Sequence, residues 1–122
     1  MKKIPVIIDC DTGIDDMISF AVTLTSDKLN ILGITTVAGN QTVDITTQNT
    51  LNGVAIMGRT DIPVAKGAEK PLSRPLQDAG YIHGETGLGT YQFAEKKGAA
   101  FPAGAGKGKP VHHRHFYVGN DD

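Results

Sequence analysis

Asp9, Asp11, Asp15 and Asp16 place four carboxylates in one eight-residue span. The span reads as the end of a strand, a polar turn (Asp9-Cys10-Asp11-Thr12-Gly13) and the first turn of a helix. Several of these acids are expected to face the same small volume. Like charges held that close repel, so either some take up a proton or a cation sits among them. An all-oxygen donor set suits a hard ion, Ca²⁺ or Mg²⁺, rather than zinc. The plainer alternative is that the acids are helix caps and solvated turn residues, helped by the partial positive charge of a helix N-terminus. That explains one or two aspartates better than it explains four. An EF-hand is excluded, because its loop needs a glycine at position six and an acid at position twelve. Counted from Asp9, those positions hold Ile14 and Phe20.

The elements that must position these acids are legible around them. Residues 4–8 are an apolar, largely β-branched run, as expected of a strand buried on both faces. Ile14, Met17, Ile18, Ala21, Val22 and Leu24 then recur at helical spacing, with Asp15 and Asp16 in the first turn. Residues 31–37 predict a second strand, ending at Ala38-Gly39-Asn40. Residues 42–57 predict a second helix through Val43, Thr47, Leu51, Val54 and Ala55, although its threonines are poor helix formers. Ile62-Pro63-Val64-Ala65 predicts a short third strand. The order β-α-β-α-β implies an α/β fold with a parallel sheet and right-handed crossovers. In such sheets ligands bind beyond the carboxyl ends of the strands. Asp9 and Asp11, then Gly39-Asn40, then Lys66-Gly67 therefore gather at one rim. The glycine-rich loop of residues 66–90, bearing His83-Gly84-Glu85-Thr86-Gly87, leaves from the same rim, and a loop of that length is usually functional. Asn40 or His83 alone would be an ordinary turn or loop residue; convergence with the acids is what singles them out.

Composition narrows the function classes. The chain has 122 residues, 39% of them hydrophobic and 20% charged, enough for one modest globular domain. A formal net charge of -1 gives no broad basic surface for nucleic acid or an anionic membrane. The single cysteine, Cys10, excludes an internal disulfide and suits a reducing compartment. The first apolar run is broken by Pro5 and ended by Asp9, too short for a signal peptide. No segment reaches the roughly 20 apolar residues of a membrane span. A cytoplasmic location is expected.

Beyond about residue 93 the pattern changes. Residues 99–110 show no period, and His112-His113-Arg114-His115 follows. The sequence divides into residues 1–93, which resemble a folded domain, and 94–122, an atypical tail. An out-of-frame translation beginning after Gln92 would produce this. Synonymous codons for residues 111–119, read one nucleotide later, permit Phe-Ile-Ile-Asp-Thr-Phe-Met-Ser, a string apolar at helical spacing. Residues 95–122 would then never have been selected to pack and are expected to be disordered or only adventitiously ordered. A genuine flexible tail or a metal-binding histidine cluster is the alternative.

Ile7-Ile8-Asp9-Cys10-Asp11-Thr12-Gly13-Ile14-Asp15-Asp16 resembles the N-terminal signature of the inosine–uridine-preferring nucleoside hydrolases. The resemblance continues through residues 35–42, 65–72 and 83–89, so it covers roughly residues 4–92. Thr12 stands where proline is common in the family. The resemblance implies a doubly wound α/β fold and calcium-assisted hydrolysis of the N-glycosidic bond of ribonucleosides to base and ribose. It implies that Asp11 is a calcium ligand and the general base, and that Asp16 is a second calcium ligand. Asp15 and Asn40 would contact ribose hydroxyls, Asp9 would support the cluster, and His83 would belong to a loop closing over the substrate. A homo-oligomer is compatible with all of this. Family members are more than twice this length, and their later half supplies another calcium aspartate, ribose contacts and a leaving-group histidine. The chain alone is therefore expected to be weakly active or inactive.

Two other readings compete. Mg²⁺-dependent phosphotransferases of the haloacid-dehalogenase type also place Asp-x-Asp after a first strand. They usually have threonine or valine two places beyond the second Asp, where this chain has Gly13, and they lack the doubled Asp15-Asp16. The other reading is a non-catalytic truncated fragment.

Overall fold

The computed structural model describes residues 2–93, 98 and 100, and the backbone of residues 117–118. The elements are β1 (Ile4–Cys10), α1 (Ile14–Thr23), β2 (Leu29–Thr36), α2 (Val43–Ile56), β3 (Val64–Lys66), the single turn α3 (Gly80–His83) and β4 (Tyr117–Val118). The sheet order is β3-β2-β1-β4. β1 and β2 run parallel, with Ile8 opposite Ile34 and Cys10 opposite Thr36, after a register shift between Val6 and Ile7. β3 continues the parallel sheet, with Ile34 opposite Val64. The β-α-β-α-β order and parallel sheet are as expected.

Both crossovers step the same way along the sheet. Right-handed connections therefore put α1 and α2 on the same face. Ile8, Cys10, Ile31, Ile34 and Val64 of the sheet close on Phe20 and Leu24 from the α1 side and on Leu51 and Val54 of α2. This one-sided layering overturns the expectation that the first strand is buried on both faces. Ile4 and Ile7 are 49% and 38% exposed, and Leu32 of β2 is 49% exposed.

Most of residues 94–122, where the sequence predicts an unpacked tail, lie outside the described residues. Tyr117–Val118 is an exception, pairing antiparallel with Ile7 and Val6. β1 offers backbone N–H and C=O groups on the side away from β2, and a two-residue extended segment is enough to pair with some of them.

α2 forms despite its composition because its polar side chains find buried partners. Thr46, Thr47, Asn49, Thr50 and Asn52 are all buried. The Thr46 hydroxyl donates to the Val37 carbonyl at 2.9 Å, and the Thr50 hydroxyl to the Thr46 carbonyl at 2.9 Å. Thr36 and Thr47 share a 2.6 Å hydroxyl pair, as do Thr12 and Thr50. A low intrinsic helix preference of a few tenths of a kcal/mol per residue is outweighed by such bonds, each worth about 1 kcal/mol net. These pairs also tie the acidic turn and the end of β2 to the helix layer.

Candidate active site

Alternation along β1 sorts the acids. Asp9 lies on the opposite side of the strand from buried Cys10, and its Oδ1 accepts the hydroxyl of Thr35, its cross-strand neighbour, at 2.6 Å. Asp11 leaves the strand end and is 4% exposed. Its Oδ2 accepts the Asn40 backbone N–H at 2.9 Å, while the Asn40 side-chain Nδ2 donates to the Asp11 carbonyl at 2.8 Å. The two strand ends are thus clamped reciprocally. Asp16 caps α1, its Oδ2 accepting the Gly13 N–H at 3.0 Å. Asp15, about 100° around the helix from Asp16, is exposed.

The turn therefore does not aim four carboxylates into one volume. Among the described residues, no group of three His, Cys, Asp or Glu side chains converges to hold a metal ion. The fit to a hard cation is one of donor chemistry. Asp11 and Asp16 are hard oxygen donors from the two ends of one turn, and an ion such as calcium, which takes 6–8 oxygens, would need further ligands beside them.

The third contributor arrives on the long loop. The Ala79 N–H bonds to the Gly39 carbonyl at 2.8 Å, fixing the start of α3 against the end of the second strand segment. His83, at the C-terminal end of α3, then brings its ring over the acidic turn. A methyl group built on Gly13 would lie 3.0 Å from His83 Nδ1 and 2.7 Å from Asn40 Nδ2. Only a residue without a side chain allows both groups to close here. His83 Nδ1 is buried and has no hydrogen-bond partner among the described residues. Asp11, Asn40 and His83 thus meet around Gly13, as the rim argument anticipated. A cavity of about 580 Å³ lies beside Gly39 instead, lined by Lys70, Leu72 and Arg74 among others. It contains none of the four acids, so the candidate site is an open rim.

Sequence reasoning did not single out Gln41 or Asn49. The Gln41 side-chain amide donates to the Gly84 carbonyl at 3.3 Å, and Asn49 reaches two loop carbonyls. For Asn49 the signal was present, a polar residue among others at helical spacing on the inward face of α2; Gln41 precedes the helix and carries no such pattern.

Cys10 lies directly beneath the turn. Burial pushes its thiol from 9.0 up to about 12; a contact with the Thr12 hydroxyl lowers it, and Asp16, Asp9 and Asp11 raise it. A group whose folded pKa is raised contributes stability that is present below its unfolded value and is lost as pH climbs through the folded one. Cys10 should therefore resist thiol reagents at pH 8 until the chain unfolds. Melting temperatures measured from pH 8 to 11 should fall less in Cys10→Ala than in the wild type; equal declines would contradict this.

A rim at the strand ends of a parallel sheet, bearing acids, an amide and a histidine, is the place where an α/β fold would take a polar small molecule. The model of the family described as "Inosine-uridine preferring nucleoside hydrolase" matches residues 6–116, and the chain belongs to that family. The matched range runs beyond residue 93, where the sequence pattern changes. The chain is 54% identical over 84 residues to the pyrimidine-specific ribonucleoside hydrolase RihA of Shewanella woodyi, covering 69% of this chain and 27% of that protein. It is 48% identical over 85 residues to the corresponding protein of Escherichia coli, covering 70% and 27%. A plant nucleoside hydrolase superposes with a TM-score of 0.67 at 38% identity, over 82% of this chain and 33% of that one. A purine-preferring ribonucleoside hydrolase from Gardnerella vaginalis gives 0.63 at 28%, over 78% and 32%. The chain thus spans about a quarter of the length of the curated relatives it matches. The family is generally metal-dependent. Family membership displaces the haloacid-dehalogenase reading. No helix among the described residues is long and apolar enough to cross a membrane.

Proposed function

We propose that this chain carries the cation- and ribose-binding part of a calcium-assisted ribonucleoside hydrolase, acting on purine or pyrimidine nucleosides in the cytoplasm. The observation that carries this is the meeting around Gly13 of Asp11, Asn40 and His83, whose Nδ1 has no hydrogen-bond partner among the described residues. In the reaction, water adds to the anomeric carbon of the ribose, the N-glycosidic bond breaks, and the base leaves with a proton. Asp11 accepts the proton of the attacking water. Carboxylates along the turn stabilise the positive charge that builds on the sugar ring. Asp15 and Asn40 contact ribose hydroxyls, and Asp9, braced by Thr35, holds the strand end. His83 Nδ1 supplies one more hydrogen-bonding position over the sugar. Asp11 and Asp16 would hold calcium, which when bound orients water and the ribose diol and acidifies the water.

Calorimetric titration should show calcium binding in roughly the millimolar range of sparse sites, and Asp11→Ala should abolish the heat. Equal heats from both proteins would sink the reading. The 122-residue chain should cleave p-nitrophenyl riboside far below the roughly 1–1000 per second of complete enzymes, and p-nitrophenyl phosphate not at all. Full-rate riboside cleavage would refute the view that this is part of a site, and phosphate release would refute the hydrolase assignment.

A further inference from the structure

We infer that Asn49 is a positioning residue, a buried clamp that holds the His83 loop against the acidic turn; what it positions matters for catalysis only if the hydrolase reading above is right. Asn49 sits midway along α2 and is 5% exposed. Its Nδ2 donates to the Thr12 carbonyl at 3.3 Å and to the Thr86 carbonyl at 2.8 Å. A side-chain amide carries two N–H donors, so one nitrogen can serve both carbonyls at once. Neither acceptor belongs to a helix or strand. A buried carbonyl outside regular structure needs such a partner. Thr12 lies between Asp11 and Gly13, and Thr86 follows His83 by three residues. A single side chain therefore fixes the spacing between the two segments that meet at Gly13.

The loop is shaped to receive it. Gly84, Gly87 and Gly89 have φ of 76°, 72° and 66°, a region that side chains disfavour. The turn they form returns the Gly89 N–H to the His83 carbonyl at 2.7 Å. Gly87 passes so close to the helix that a methyl group there would stand 3.1 Å from Asn49 Nδ2. Leu88, 8% exposed, anchors the apolar side of the same turn. Displacing the Thr86 carbonyl from Asn49 would thus be transmitted through this turn to His83. The arrangement makes His83 a residue held in place before any substrate arrives.

Asn49→Asp tests this, because it keeps the size and replaces the shared donor with an oxygen facing two carbonyls. Amide exchange and the His83 imidazole resonances are followed by NMR in the full chain, without calcium or nucleoside. The expected result is about tenfold faster exchange at Gly87 and Gly89, in line with loss of a net hydrogen bond, and a shift of the His83 ring signals. Amides of Ile8 and Ile34 should be unaffected. Unchanged loop exchange and His83 signals would overturn the inference. If Asn49→Asp fails to fold, Gly87→Ala presses on the same contact from the loop side and leaves α2 intact; it should move His83 in the same way. A uniform rise in exchange across sheet and loop in Gly87→Ala would show a merely structural contact and also overturn it. Since neither readout uses metal or substrate, a chain that gives no calcium heat but shows the His83 shift loses the hydrolase reading and keeps the clamp.

Discussion

Phe20→Ala is expected to remove about 3–5 kcal/mol of stability, enough to leave much of the chain unfolded at 25 °C. Phe20 is 1% exposed and belongs to the core cluster between the sheet and the two helices. Gly53 of α2 passes so close that a methyl group there would lie 3.0 Å from both the Phe20 ring and the Met17 sulfur. The cavity left by truncation would be walled by strands and by a helix whose threonines are hydrogen-bonded in place, so collapse could fill little of it. Domains of this size have about 5–15 kcal/mol in total. This chain belongs at the low end, because Ile4, Ile7, Ile18, Val22 and Leu32 all leave apolar surface in water. Urea unfolding followed by circular dichroism would measure the loss. Phe20→Leu, a smaller change in volume, should cost less than about 1.5 kcal/mol. A midpoint unchanged in Phe20→Ala would mean that the core does not rest on this side chain.

The same one-sided core explains what the sequence could and could not reveal. Helical spacing located α1, and the β-branched runs located β1 and β2, because those signals come from the face that packs. Element ends moved by at most two residues: β1 runs on to Cys10 and β2 begins at Leu29. Polar residues at a strand end still pair, through the Val37 N–H to the Cys10 carbonyl at 3.0 Å for example. An apolar run does not say how many faces are covered, so the pattern reads Ile7 as core although it is 38% exposed. α2 was the hardest element because its buried face is built from Thr46, Thr47, Asn49 and Thr50, whose partners lie 9–38 residues away and are invisible to local propensity. The candidate rim was legible in its placement and less so in its side-chain geometry. Asp11, Asn40 and His83 do converge, because strand ends in a parallel sheet must share a rim. Asp9 and Asp15 are grouped with the others by spacing alone; in the fold Asp9 accepts a bond from Thr35 across the strand, and Asp15 is exposed in the first turn of α1.

Gly67→Ala should destabilise the fold by about 2–3 kcal/mol, the upper part of the range for overpacking, whereas Gly13→Ala should cost about 1 kcal/mol, the scale of one lost hydrogen bond. Both glycines lie at the rim, and the difference comes from what each would strike. A methyl group on Gly67 would lie 2.1 Å from the Thr36 carbonyl oxygen, which also accepts the Gly67 N–H at 2.9 Å. That oxygen is backbone at the end of β2, and β3 has only three residues with which to absorb a shift. Relief requires the β2–β3 edge to open, and with it the departure of the long loop. On Gly13 the obstacles are the tips of the Asn40 and His83 side chains, which can rotate away. Rotation of Asn40 would break its 2.8 Å bond to the Asp11 carbonyl, and His83 would leave the turn. Gly13→Ala should therefore keep most of its urea midpoint while the Asn40 side-chain amide and His83 ring signals move. Gly67→Ala should lose midpoint, with those signals near wild type in whatever fraction remains folded. Equal losses of stability in the two variants would show that Asn40 and His83 are held as rigidly as backbone, and that the site is part of the core.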